Sequence, residues 1–171
     1  MNKLIEIFNC DRHWGIGKRN GLLFRLPKDM AFFRKTTEGH AVAMGENTLL
    51  SFPHSAPLKN RINLVLTQDP SHEYPGTITV HSFDEFLFQI RKQLQNGDVF
   101  VIGGASIYRQ MLPYCDEALV TRVEDDGGAE VFVENLDESP DWSLLLASEK
   151  EEDNGHIIQF CRYENRNKKA L

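Results

Sequence analysis

The sequence predicts one α/β domain: a central, mostly parallel, twisted sheet of about eight strands, helices on both faces, and an antiparallel hairpin at the C-terminal end. Short apolar runs rich in β-branched residues recur at Leu4–Phe8, Ala41–Met44, Ile62–Thr67, Thr77–Val80, Val99–Ile102, Ala118–Val123, Val131–Val133 and Ile157–Tyr163. Their length and composition are those of strands. Helical patterns lie between the earlier runs, at Pro27–Thr37, Asn47–Phe52, Phe83–Leu94 and Ala105–Leu112, and such alternation makes neighbouring strands parallel. No helical pattern separates the last strands, hence the antiparallel finish. The segment Asp125-Asp126-Gly127-Gly128 reads as an exposed turn or loop.

A chain of 171 residues suits one domain with a sizeable core. Residues 1–164 are assigned to it, and 165–171 to a polar tail expected to fray. A net charge of −6 argues against a nucleic-acid or anionic-membrane surface, which needs dense Lys and Arg. The cysteines Cys10, Cys115 and Cys161 are far apart and odd in number, the pattern of free thiols in a reducing compartment. Between Met1 and Trp14 the apolar run is short and broken by Glu6 and Asn9, unlike a signal peptide or a membrane span. A cytoplasmic, monomeric protein acting on a small molecule is expected. The six histidines show no metal-ligand spacing, so no metal is expected.

In open parallel sheets ligands bind beyond the carboxyl ends of the strands. Two strand ends there suit an anion. Val99–Ile102 runs into Gly103-Gly104 and then a helix; Ala41–Met44 runs into Gly45, Glu46, Asn47 and Thr48 at a second helix start. Paired glycines let a ligand approach the backbone, and helix starts carry unpaired N–H groups. The glycines alone are equally compatible with tight turns. There is no G-x-G-x-x-G and no P-loop lysine.

The stretch Trp14–Thr37 is the other informative one. Gly15, Gly17 and Gly21 make its first part a loop, and Pro27 is placed to open a helix. Asp29, Met30 and Phe33 then share a helical face continued by Thr37. A carboxylate among Leu26, Met30 and Phe33 would, if buried, be raised by desolvation and suited to handling a proton. An exposed first-turn Asp favoured by the helix dipole fits the same spacing. The residues alone leave both open.

Taken together, W-G-I-G, L-x-F-R-L-P-x-D-M-x-F-F-R, V-A-M-G-x-N-T, L-K-N-R-I-N-L-V-L-T, V-I-G-G-x-x-I-Y and L-V-T-R, in order from Leu4 to Tyr163, resemble the dihydrofolate reductase family. The resemblance implies an eight-stranded sheet, NADPH as cofactor, and reduction of 7,8-dihydrofolate to tetrahydrofolate. It assigns Asp29 to binding the pterin N3 and 2-amino group and supporting N5 protonation, with Thr121 bonded to Asp29 and the pterin. Phe33 would pack on the pterin, the carbonyls of Ile7 and Ile102 would face its amino group beside Tyr108, and Arg61 would pair with the glutamate α-carboxylate. Phe8, Phe24, Met30, Phe52 and Leu58 complete the expected substrate side. Ile16, Gly17, Asn20 and the catalytic-loop residue Leu22 would lie over the nicotinamide with Asn9. Gly45, Asn47, Thr48, Gly103 and Gly104 would hold the pyrophosphate, with Glu46, Leu66, Thr67, Gln68, Ala105, Ser106 and Ile107 around the rest of the nucleotide.

The chain departs from the family pattern at several positions. Phe24 replaces a usual Trp and Leu23 a usual Pro, Asn9 stands for a small apolar residue, Glu46 for an Arg, and Gln68 where some members carry Arg or His. The last two replace cations that bind the 2′-phosphate, so use of NADH beside NADPH is expected. Two rival functions remain compatible with the residues. One is a related pterin or pyrimidine reductase on the same fold; the other is a catalytically silent nucleotide-binding module.

Overall fold

In chain order the elements are β1 (Leu4–Cys10), β2 (Gly15–Gly17), α1 (Pro27–Thr37), β3 (Ala41–Gly45), α2 (Glu46–Ser51), β4 (Ile62–Leu66), β5 (Ile78–Val80) and α3 (Phe83–Leu94). They continue as β6 (Val99–Val101), α4 (Ala105–Met111), β7 (Glu117–Val123), β8 (Val131–Phe132), β9 (Trp142–Ala147), β10 (Glu151–Asp153) and β11 (His156–Asn165). The computed structural model describes residues 1–19 and 21–171. Asn20, expected over the nicotinamide, lies outside the described residues.

The central sheet runs β10-β11-β7-β1-β6-β3-β4-β5, with β9 also paired to β11. Nine strands thus fill eight positions, because β10 and β9 lie in succession against the long β11. From β7 to β5 every pairing is parallel, and β11 runs antiparallel to β7. This is the predicted architecture.

Two strands differ from expectation. Val131–Phe132 does not join the central sheet but pairs with Gly15–Gly17 in a separate two-stranded ribbon; the free edge of β7 is already taken by β11. Trp142–Ala147 was not anticipated as a strand. Its Leu-Leu-Leu run lacks both β-branched residues and alternation, and it is held as an edge strand with Leu144, Leu145 and Leu146 exposed. The C-terminal tail also differs: the N–H of Arg166 donates to the Asp141 carbonyl at 2.7 Å, that of Lys169 to the Pro113 carbonyl at 2.9 Å, and Leu171 packs on the core.

The sheet buries both faces, as parallel strands require. Leu4, Phe86, Ile90 and Met111 lie on one side; Ile5, Ile7, Val42, Met44 and Phe100 lie on the other. Each large apolar side chain so buried contributes about 1.5–3 kcal/mol. Helix starts are fixed individually. The Ser82 hydroxyl accepts from the Glu85 N–H at 3.1 Å and caps α3. Helix α1 opens on Pro27, but its capping position is Leu26, which has no side-chain acceptor. The cap comes instead from the far end of the chain, where the Asp153 carboxylate accepts from the N–H groups of Lys28 (3.0 Å) and Asp29 (3.2 Å). The start of α1 is thereby tied to the β10–β11 hairpin.

Candidate active site

Strands β1, β3, β6 and β7 end together, and α1 crosses near those ends. On the Ile5/Ile7 face of the sheet, Phe32, Phe33, Phe52 and Leu58 pack against Met44, Leu49, Ile102 and Leu119. This gives an apolar wall, and a single carboxylate is engaged beside it. Asp29 is half-buried; its Oδ1 accepts from the Thr121 hydroxyl at 2.6 Å and its Oδ2 from the Asn9 amide at 3.0 Å. Burial pushes its carboxyl up from the ordinary Asp value, and Asp153 adds to this; the donors Thr121 and Asn9 pull the other way. Of the two alternatives left by the sequence, the desolvated carboxylate is the one found.

Tyr108, buried on α4, donates its hydroxyl to the Ile7 carbonyl at 2.8 Å. Burial raises its hydroxyl well above the usual range, which keeps it a donor. Arg61, just before β4, is held in place by its own donors. Its Nε bonds the Thr37 hydroxyl at 2.8 Å, and its terminal nitrogens reach the carbonyls of Lys59 (2.7 Å) and Arg34 (3.3 Å).

The two strand-to-helix turns lie side by side, since the Gly45 N–H donates to the Gly103 carbonyl at 2.9 Å. Neither helix start carries a side-chain cap, so backbone N–H groups at Asn47, Thr48, Ala105 and Ser106 remain available to an anion. Side chains would close this cradle. A Cβ at Gly45 would meet Ile107 at 3.0 Å, and Gly103, at φ +118°, would place one 3.3 Å from the Tyr108 ring. These residues fit the pyrophosphate of a dinucleotide.

Glu46, at the start of α2, is engaged through one carboxylate oxygen. Its Oε2 accepts from the Tyr74 hydroxyl and lies 2.5 Å from His72 Nδ1. Tyr74 foremost, then His72 and Thr67, hold its carboxyl below the usual Glu range. Thr67 is buried and Gln68 exposed at the end of β4, while Leu66 packs inward. The neighbouring His81 is raised by its bond to Glu73 (2.8 Å).

Not every expected site residue meets Asp29. Phe8 points to the opposite face of the sheet, against Trp14 and Tyr108. Phe24 is buried with Leu26, Val123 and Ile158, its ring edge-on to His156. Met30 is 52% exposed and Leu22 73%. Ile16 and Gly17 belong to the β2–β8 ribbon. Two supporting carboxylates escaped sequence reasoning. One is Asp153. The other is Asp11, wholly buried, which accepts from the N–H groups of His13 (2.9 Å), Gly15 (2.8 Å) and Gly127 (3.0 Å) and so pins the loop leading to β2. An Asp among His, Trp and Gly was the available signal, since it favours local backbone bonding.

The dihydrofolate reductase family model matches residues 3–165. The dihydrofolate reductase of Bacillus subtilis (strain 168) is 35% identical over 165 residues, covering 94% of each chain. That of Schistosoma mansoni is 31% identical over 187 residues, covering 95% of this chain and 96% of its own. Among solved structures, dihydrofolate reductase from Enterococcus faecalis, complexed with NADP(H) and RAB-propyl, superposes with a TM-score of 0.84 at 25% identity, covering 95% of this chain and 96% of that one. A single-domain α/β oxidoreductase is the class that the fold and these likenesses define. The chain belongs to the dihydrofolate reductase family, and dihydrofolate reduction with a nicotinamide nucleotide is its activity.

Proposed function

We propose that this chain carries out NADPH-dependent reduction of 7,8-dihydrofolate with Asp29 as the group that binds and orients the pterin. The observation that supports this most is the bond from Thr121 Oγ1 to Asp29 Oδ1 across a largely desolvated gap (2.6 Å). A carboxylate so placed accepts paired N–H donors, as the pterin N3 and 2-amino group offer. The carbonyls of Ile7 and Ile102 face the ring, and Phe33 packs on it. The nicotinamide nucleotide, when bound, supplies the hydride. Glycines 45, 103 and 104 with the N–H groups of Asn47, Thr48 and Ala105 hold its pyrophosphate, so rate enhancement comes mainly from orientation. The N5 proton comes from water, because N5 lies in the neighbouring ring, three bonds from the N3 at which the carboxylate is engaged. Ile16, Gly17 and Leu22 cover the reactants and exclude bulk solvent. Arg61 takes the glutamate α-carboxylate of the substrate. Loss of dihydrofolate and NADPH absorbance with purified protein tests this; no turnover of dihydrofolate, with turnover of another pterin, would replace it.

The 2′-phosphate side is a separate matter. Glu46, held anionic by Tyr74, His72 and Thr67, stands where an arginine is usual, and Gln68 offers only a neutral donor. NADPH is used, but its advantage over NADH is narrow. Three buried free cysteines suit the cytoplasm. Among the described residues no helix is long and apolar enough to cross a membrane.

A further inference from the structure

Strands β1 and β7 are parallel, and their register sets Asn9 beside Thr121. In-register partners on adjacent strands present side chains on one face about 5 Å apart, so both can reach a group lying over them. That group is Asp29. Thr121 Oγ1 donates to Oδ1 at 2.6 Å and Asn9 Nδ2 to Oδ2 at 3.0 Å. Each carboxylate oxygen therefore has a donor from a different strand, which fixes the carboxylate at two points.

The other polar groups facing Asp29 do not do this. Asp153, on β10, accepts from the N–H groups of Lys28 and Asp29, and its own charge opposes that of Asp29. Tyr108, on α4, spends its hydroxyl on the Ile7 carbonyl. Burial and Asp153 therefore work against a charged Asp29, and Thr121 and Asn9 are the side chains that oppose them. A small apolar residue at position 9 would leave Thr121 alone in that task.

We propose that Asn9 is a positioning residue for Asp29: its amide holds the second carboxylate oxygen, fixing the plane in which Asp29 accepts the pterin N3–H and 2-amino hydrogens. The proposal rests on the assignment of Asp29 as the pterin-binding carboxylate. The oxygen it occupies keeps a second lone pair for the substrate, so the amide supports binding without blocking it.

The test is titration of the Asp29 carboxyl in the free enzyme by carbon NMR of aspartate-labelled protein, the signal being identified by its loss in Asp29→Asn. Asn9→Ala removes donor and volume; Asn9→Leu removes the donor and roughly keeps the volume, and carries the comparison if the alanine variant melts early. Losing one donor to a charged acceptor should raise the Asp29 titration midpoint by about one unit, tenfold in its ionisation constant. The KM for dihydrofolate should rise about tenfold in both variants, with kcat changed less. An unchanged midpoint in both would overturn the proposal and leave Asn9 as filling. Normal turnover by Asp29→Asn would instead overturn the assignment of Asp29 itself, a failure visible independently of the titration.

Discussion

Arg61 donates through Nε to the Thr37 hydroxyl at 2.8 Å, and that hydroxyl in turn donates to the Phe33 carbonyl at 2.9 Å. A helix end and a strand start are locked by this relay, which orients the guanidinium before any substrate arrives. Replacing Arg61 with Leu is expected to weaken dihydrofolate binding by about 2–5 kcal/mol, the range for truncating one partner of a desolvated charge pair. A dihydropterin without the glutamate tail should lose much less. Equal losses for the two substrates would show that Arg61 supports only the fold.

Thr37→Val keeps the shape of a buried residue and removes the hydroxyl. The expected result is a several-fold rise in KM for dihydrofolate with kcat unchanged, since a misoriented guanidinium weakens uniform binding only. Kinetics with and without the tail on the substrate check this. A fall in kcat alone would point to a different role.

Much of this was legible in advance. Helices Pro27–Thr37 and Phe83–Leu94 formed over the residues their periodicity indicated, and the two glycine turns at the strand ends lie side by side. What stayed hidden was non-local. Nothing near Leu26 shows that α1 is capped by Asp153, 125 residues beyond Lys28 along the chain. Asn9 was legible as a departure from the family pattern, but only the register of β1 on β7 reveals that its amide meets Asp29. Phe8 is expected on the substrate side, but alternation along β1 sends it to the face opposite Ile7. Glu46 was read as a bare repulsive charge; its engagement by Tyr74 and His72 depends on the loop before β5.

Glu46 sets up a prediction about cofactor choice. Glu46→Arg replaces an anion held by Tyr74 and His72 with a cation at the expected 2′-phosphate. The ratio of kcat/KM for NADPH to that for NADH should rise about 5- to 30-fold at low salt, and less at moderate salt, where screening cuts the effect. Measurement of both cofactors at both salt concentrations decides it. An unchanged ratio would mean that Glu46 faces away from the phosphate.

The raised carboxyl of Asp29 carries a stability cost with a definite sign. Its folded value lies above the unfolded one, so the folded protein holds that proton more tightly, and stability falls as pH rises from the unfolded value through the folded one. The cost is largest above the folded value and vanishes only well below the unfolded value of about 3.9, where both states are protonated. Asp29→Asn should therefore raise Tm at pH 7 by about 2–4 °C per kcal/mol relieved, with the gain shrinking towards pH 4. A lower Tm at pH 7 would contradict this.

The central claim is that Asp29 binds and orients the pterin for reduction, and its most direct test is steady-state kinetics of Asp29→Asn with dihydrofolate and NADPH at pH 7. Thr121 and Asn9 can both still bond an asparagine there, so the variant should fold. Its kcat/KM is expected to fall by about 10²–10⁴-fold, the cost of replacing a charged acceptor of two paired N–H donors at about 1.5–3 kcal/mol each. Near-normal turnover by the folded variant would contradict the account.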